Sequence, residues 1–294
     1  ILSRSYVMNR ILNYTISDAD AGMIVLDFLR KQGFSRHILT AMKADKEALS
    51  VNDQKVGGRT ILCAGDHFRV RLLETVSPDG IIPASMDIPV LYEDEDILVV
   101  NKPADMPVHP SIGNYTNTLA NGIAAYLEAK GEICPFRCIN RLDRDTSGAL
   151  ILAKNALSAA VLSVQMRNRQ IRRTYLAVVQ GITHKSGTIT APISRVTDSV
   201  IERHVDFQNG ESAVTHYQRL ETKNNLSLLE IHLETGRTHQ IRVHMKHIGH
   251  VLFNDERYGG HEILKGTHFS KYKQFVNNLS ASRFTLFSWN SVIQ

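Results

Sequence analysis

A chain of 294 residues, 43% hydrophobic and 21% charged, is long for one domain, comfortable for two, and able to build a real core. No apolar run approaches bilayer-spanning length and no signal peptide precedes the first periodic segment, so a cytoplasmic protein without membrane contact is expected. Three cysteines (Cys63, Cys134, Cys138) are an odd set that argues against a disulfide framework, and a net charge of +5 favours a polyanionic partner only weakly.

In chain order, a first unit is expected over residues 8–75, with Met8-Asn-Arg-Ile as a natural start and residues 1–7 left outside it. Asp18 to Gly22 reads as a turn, and Met23-Ile-Val-Leu-Asp-Phe-Leu-Arg-Lys-Gln as a short amphipathic helix stopped by Gly33. Ser35 is a candidate N-cap for a second helix, Arg36 to Ala44. Ala48-Leu-Ser-Val-Asn, a turn at Asp53 and the alternation of Asp66-His-Phe-Arg-Val-Arg-Leu-Leu predict short strands. Two helices followed by strands, with Ser-Arg opening the second helix and a late Gly65-Asp-x-x-x-Val, resemble an S4 RNA-binding domain. Arg36, His37, Lys43 and Lys46 then put positive charge on the second helix, suited to phosphate contacts. The alternative is a small helical interaction module.

Residues 76–89, rich in Pro, Gly and Ser, read as a linker. A second domain is expected over 90–294. In Val90-Leu-Tyr-Glu-Asp-Glu-Asp-Ile-Leu-Val-Val-Asn-Lys-Pro, two apolar strands flank an acidic turn. Thr118 to Lys130 has helical period, Ala149 to Lys154 reads as a buried strand and Ala156 to Asn168 as a helix. Strands are predicted at 172–180, 213–220 and 226–235. The fold class is α+β: a mixed, largely antiparallel sheet with flanking helices, preceded by the small S4-like unit.

Asn140-Arg-Leu-Asp-Arg-Asp-Thr-Ser-Gly148 sets carboxylates and guanidiniums at the mouth of an apolar strand. Taken alone it suits a solvated turn with Asp145 or Thr146 capping backbone groups. Two further segments bear on it. Arg172-Arg-Thr-Tyr puts an aromatic after a basic pair at a strand start, and Thr235-Gly-Arg-Thr-His-Gln-Ile-Arg-Val-His-Met sets a glycine turn and an arginine ahead of another apolar segment.

In this order the three segments resemble the RluA-type pseudouridine synthases. The matching motifs are Arg141-Leu142-Asp143 with Thr146-Ser147-Gly148, Arg173-Thr174-Tyr175, and Gly236-Arg237-Thr238-His239-Gln240. Tyr92-Glu-Asp, Asn101-Lys-Pro, Ile248-Gly-His and Tyr258-Gly also fit. The resemblance implies isomerisation of uridine in ribosomal or transfer RNA: the N-glycosidic bond breaks, the uracil turns, and C5 rejoins C1′. It implies a reaction that needs no cofactor; a monomer without a metal is expected.

On this resemblance Asp143 is the catalytic aspartate, whether it attacks the sugar, attacks the base or removes a ribose proton. Arg237 is the guanidinium expected to keep it ionised, and Tyr175 the ring that stacks on the target base. Arg141 is the expected wedge filling the hole left by a flipped uridine. His239 and Arg242 are expected RNA contacts, together with Arg36 and Lys43 on the S4-like unit. Asp145 is read as a turn residue, and Thr146 and Ser147 as holding the loop by backbone hydrogen bonds. A glycoside hydrolase using Asp143 and Asp145 lacks a saccharide-binding aromatic set. A zinc site at His239, His244, His247 and His250 lacks a completing ligand. The rival reading is a catalytically silent S4-type RNA-binding protein. Two departures stand out: Asn140 replaces a histidine that often precedes the arginine, and the chain ends at Gln294 where the family usually continues with another strand or two.

Overall fold

The computed structural model describes residues 6–76, 80–260 and 286–289. The expectations placed on residues 1–5, on part of the linker and on the end of the chain lie outside the described residues. Contacts divide the chain into two units. One gathers the residues up to Val99 with Pro110–Asn140 and Ile151–Arg167; the other gathers Val100–His109, Arg141–Leu150 and the residues from Asn168 onward.

The first unit opens with a strand that the sequence reading lacked. β1 (Tyr6–Thr15) runs antiparallel to β4 (His67–Val76), from Tyr6 opposite Val76 to Thr15 opposite His67. Asn9, Asn13 and Thr15 face solvent, while Leu12 and Tyr14 pack on the core. Asparagine is a poor strand former, which hid the alternation. α1 (Val25–Lys31) buries Val25, Phe28 and Leu29, one helical stripe. It stops at Gly33, whose φ of 92° suits glycine and where a Cβ would lie 2.6 Å from Val161 Cγ2. Ser35 caps α2 (Arg36–Ala41) as expected, its hydroxyl accepting from Ile38 N at 3.3 Å, and one 3-10 turn continues to Ala44. Asn52 and Asp53, both at positive φ, form the two-residue turn between β2 (Leu49–Val51) and β3 (Gln54–Lys55). The four-stranded sheet runs β1-β4-β2-β3. Phe28 packs edge-on against Tyr14 at 5.3 Å and Phe68 at 5.7 Å, at the centre of the apolar cluster.

The same unit holds β5 (Val90–Glu93), the start of β6 (Ile97–Lys102), α3 (Leu119–Ala129), the end of β7 (Ser147–Ala153) and α4 (Ala156–Arg167). Thr118 and Asn121 cap α3 reciprocally. Arg10 of β1 donates twice to Asp96, at 3.1 and 2.9 Å. Glu93 gathers Lys130 at 2.8 Å, Lys154 at 3.0 Å and the Tyr126 hydroxyl at 2.6 Å.

In the second unit the remaining parts of β6 and β7 are followed, in sheet order, by β14 (Leu286–Trp289), β8 (Thr174–Gln180), β13 (Leu226–Leu233), β12 (Val214–Lys223) and β9 (Ser186–Thr190). From β14 to β9 the neighbours are antiparallel, whereas β14 runs parallel to β7. The sheet is thus mixed and largely antiparallel, and the class is α+β as read from the sequence. β10 (Ile193–Arg195) and β11 (Arg203–Val205) form a separate ladder. Ala177, Val179, Leu229 and Ile231 of the sheet pack with Ile241 and Met245 of α5 (Gln240–His247).

Candidate active site

The loop carrying Arg141 to Thr146 is held from inside. Lys102, fully buried at the end of β6, donates to the carbonyls of Pro103 at 2.8 Å, Met106 at 2.8 Å and Arg144 at 2.9 Å. Burial drives its ammonium down to about 8, against the pull of Asp145 and Asp143. The Thr146 amide donates to Asp143 O at 3.1 Å, and the Thr146 hydroxyl is buried without a hydrogen-bond partner among the described residues. The backbone hydrogen bond expected at Thr146 is present, and Lys102 adds to the hold on the loop. Gly148 sits at φ 130°, a value that favours glycine at the end of the motif.

Asp143 keeps 28% of its side chain open. Its Oδ2 lies 3.8 Å from Arg242 Nη1 and 3.9 Å from His239 Nε2. Burial pushes its carboxyl above the usual range, while Arg242 and then Arg141 pull it back. Arg242 also grips Asp255 with two hydrogen bonds of 2.7 and 2.8 Å, and its guanidinium lies 4.7 Å from the centre of the Tyr258 ring. Only 8% of that side chain is exposed.

Two expectations change here. Arg242, expected as an RNA contact, is the buried guanidinium beside Asp143. Arg237, expected in that place, pairs with Glu211 and donates to Ser212 O at 3.1 Å on the surface. The reason is local winding: Arg237 precedes the turn into α5, whereas Arg242 lies inside the helix, on its buried side.

Tyr175, at the start of β8, is 5% exposed, and burial raises its phenol to about 12, with the charge of Asp143 adding to the rise. It is a neutral ring at ordinary pH. Arg141 is exposed and donates to Thr238 Oγ1 at 3.3 Å. Buried His239 stands at φ 57° immediately before α5, a left-handed backbone that non-glycine residues rarely adopt. Its Nδ1 meets the Tyr258 hydroxyl at 2.7 Å, and burial, helped by Arg242, lowers its imidazole to about 3. Its approach to Asp143 is thus that of a neutral ring. Gln240 fixes the turn: its carbonyl oxygen accepts from the Thr235 hydroxyl at 2.8 Å and from Arg237 N at 3.0 Å. Its amide donates to Val214 O and Thr215 Oγ1, both at 3.0 Å.

A part-open carboxylate with a buried guanidinium beside it lies within electrostatic reach of a buried phenol, the three drawn from separate segments. Residues 96–247 match the family described as RNA pseudouridylate synthase. The chain belongs to that family. An RNA pseudouridine synthase of Bacillus subtilis, YhcT, is 40% identical over 233 residues, covering 75% of this chain and 76% of that protein. The ribosomal large subunit pseudouridine synthase D of Zymomonas mobilis is 41% identical over 207 residues, covering 65% and 64%. Among solved structures, human RNA pseudouridylate synthase domain containing 1 aligns with a TM-score of 0.53 and 25% identity, over 70% of this chain and 79% of that one. The chain is an RNA pseudouridine synthase of the RluA type, an isomerase acting on RNA.

The synthase has further groups that the sequence reading left without a role, namely Lys102, Asp255 and Tyr258. Lys102 and Tyr258 stood in recognised motifs, but nothing in a sequence tells which carbonyl or ring they reach. Arg36 and Lys43 are exposed in the first unit, on α2 and the 3-10 turn after it. The histidines have separate partners: His244 nitrogens lie 2.8 Å from Thr215 Oγ1 and from Ala191 O, and His250 Nδ1 lies 2.9 Å from Gln180 O. Among the described residues no group of three or more metal-ligating side chains gathers, and no helix is long and apolar enough to cross a membrane.

Proposed function

We propose that Asp143 is the catalytic aspartate of this synthase and that its substrate is a uridine in structured ribosomal RNA, flipped out of its helix. The carrying observation is the carboxylate itself, part open and flanked on Oδ2 by Arg242 and His239. Breaking the glycosidic bond develops positive charge at C1′, and a carboxylate fixed beside it stabilises or captures that charge. Tyr175 offers a flat apolar wall against which uracil can turn. Arg141, exposed two residues from Asp143, is the proposed wedge that fills the stack while the base is out. Arg237, on the surface and already paired with Glu211, is proposed to act at the RNA backbone instead of on Asp143.

The ribosomal substrate is supported by the relative named as a large-subunit ribosomal synthase, and the cytoplasm is the proposed place of work. We further propose that residues 8–75 act as an S4-like RNA-binding domain, joined by 76–89 to a catalytic domain over 90–294, and that the protein works as a monomer. Support comes from two helices beside a four-stranded sheet with its own apolar cluster, and from the open Arg36, His37, Lys43 and Lys46. The test is tritium release from RNA labelled at uridine C5, with pseudouridines mapped in RNA from a deletion strain. Loss of a mark from large-subunit RNA is the expected result. Loss from transfer RNA alone would overturn the ribosomal assignment, and no release from any RNA would overturn the catalytic role of Asp143.

A further inference from the structure

We propose that Tyr258 is a positioning residue of this site: it fixes His239 as the Nε2–H tautomer and thereby aims a neutral N–H donor at Oδ2 of Asp143. The inference rests on Asp143 being the reacting carboxylate and goes beyond that reading by assigning the groups that decide which of its oxygens is free. Tyr258 is 4% exposed, and its hydroxyl accepts the backbone N–H of Arg203 at 3.1 Å. The hydroxyl proton must then go to another acceptor, and His239 Nδ1 stands 2.7 Å away. An Nδ1 that accepts leaves the proton on Nε2, the atom 3.9 Å from Asp143 Oδ2.

The opposite tautomer fails on two counts. It would strand the buried phenol proton without an acceptor, and it would turn the Nε2 lone pair toward a carboxylate. The doubly protonated ring is disfavoured by burial and by the guanidiniums of Arg242, Arg257 and Arg203. The tyrosine ring supports the same arrangement from its edge and its face. It meets the His239 ring edge-on at 5.6 Å and lies under the Arg242 guanidinium at 4.7 Å. The left-handed backbone at His239 is the conformational cost of turning the imidazole between the two.

Both donors approach the same oxygen, Oδ2. Oδ1 is then the oxygen left for the substrate, whichever of the three roles the carboxylate plays. Closing the remaining gap to Oδ2 as negative charge concentrates there gives a donor that strengthens during the reaction.

The test removes only the hydroxyl, by Tyr258→Phe, which keeps the ring against His239 and Arg242. Long-range proton–nitrogen correlation spectra of the ring nitrogens of His239 read the tautomer directly, without RNA. Wild type should give the Nε2–H pattern and Tyr258→Phe a mixture or the Nδ1–H pattern. On one RNA, kcat should fall by about ten- to a hundredfold with KM unchanged. A purely structural role would move the unfolding midpoint and leave the tautomer alone. An Nδ1–H pattern in wild type, or an unchanged spectrum and kcat in Tyr258→Phe, would overturn the proposal. Inactivity of wild type on every RNA would instead sink the catalytic reading, while the spectrum still decides the tautomer.

Discussion

Arg242 holds its Nη1 3.8 Å from Asp143 Oδ2 while the other edge of the same guanidinium is locked onto Asp255. The charge beside Asp143 is therefore fixed in place before RNA arrives. Removing Arg242 alone would leave Asp255 buried and unpaired, at a cost of about 3–5 kcal/mol in stability. The double variant Arg242→Gln/Asp255→Asn keeps an amide pair and removes both charges. Arg242 outweighs Asp255 in its effect on Asp143, so the carboxyl of Asp143 should rise further in this variant. Activity that needs the carboxylate form should then fall away at a higher pH, and the acid limb of the kcat/KM profile should move upward. Arg237→Gln should leave that limb unmoved, because its pairing is with Glu211 on the surface.

Asp143→Asn keeps the shape and removes the charge. Product formed per hour on one RNA should drop by about a thousandfold or more, with RNA affinity equal or slightly tighter. Asp145→Asn should retain most activity, since Asp145 sits in the turn above Lys102. Full activity in Asp143→Asn would refute the site assignment even within the family.

Glu93 gives a pH-dependent prediction for stability. Burial tends to raise its carboxyl, but Lys130, Tyr126 and Lys154 together hold it down to about 2, from an ordinary 4.5. A carboxyl lowered by folding contributes stability that is whole above 4.5 and disappears as pH falls toward 2. Glu93→Gln should cost about 1–2 kcal/mol at pH 7, allowing for solvent screening around the cluster. The gap to wild type should narrow as urea unfolding is repeated at falling pH through that window.

Arg36→Ala/Lys43→Ala should weaken RNA binding about equally on all sequences and reduce the slope of log affinity against log salt by roughly 1–2. Activity on a short stem-loop should survive. An unchanged salt slope would remove α2 from the RNA surface.

Much of the sheet was legible because its strands carry period-two burial or continuous apolar runs, as in Ile97–Lys102 and Ser147–Ala153. The motif residues Asp143 and Tyr175 were named on other grounds, from their match to the motifs of the family the chain resembles, since the pattern alone reads the Asp143 loop as a solvated turn. α5 escaped notice because it buries Gln240, Arg242 and His244 among its apolar residues, so no polar face is visible in its sequence. The choice between Arg237 and Arg242 was invisible for a related reason. Which guanidinium turns inward depends on where the helix starts, and that start is set by the unusual backbone at His239. Lys102 shows the same limit: a buried ammonium shared by three carbonyls is a tertiary fact with no local signature.

The position of β14 has a consequence for how the protein is made. It pairs with both β7 and β8, yet it follows both in the chain, after β9, β12 and β13 have already been laid down. A ribosome therefore delivers the outer part of the second unit before the strand that joins its two halves. Until then the start of β7, at Ser147 and Gly148, waits for that strand. Closure waits on a distant pairing, the slow kind, and the nascent chain is most prone to self-association during that interval.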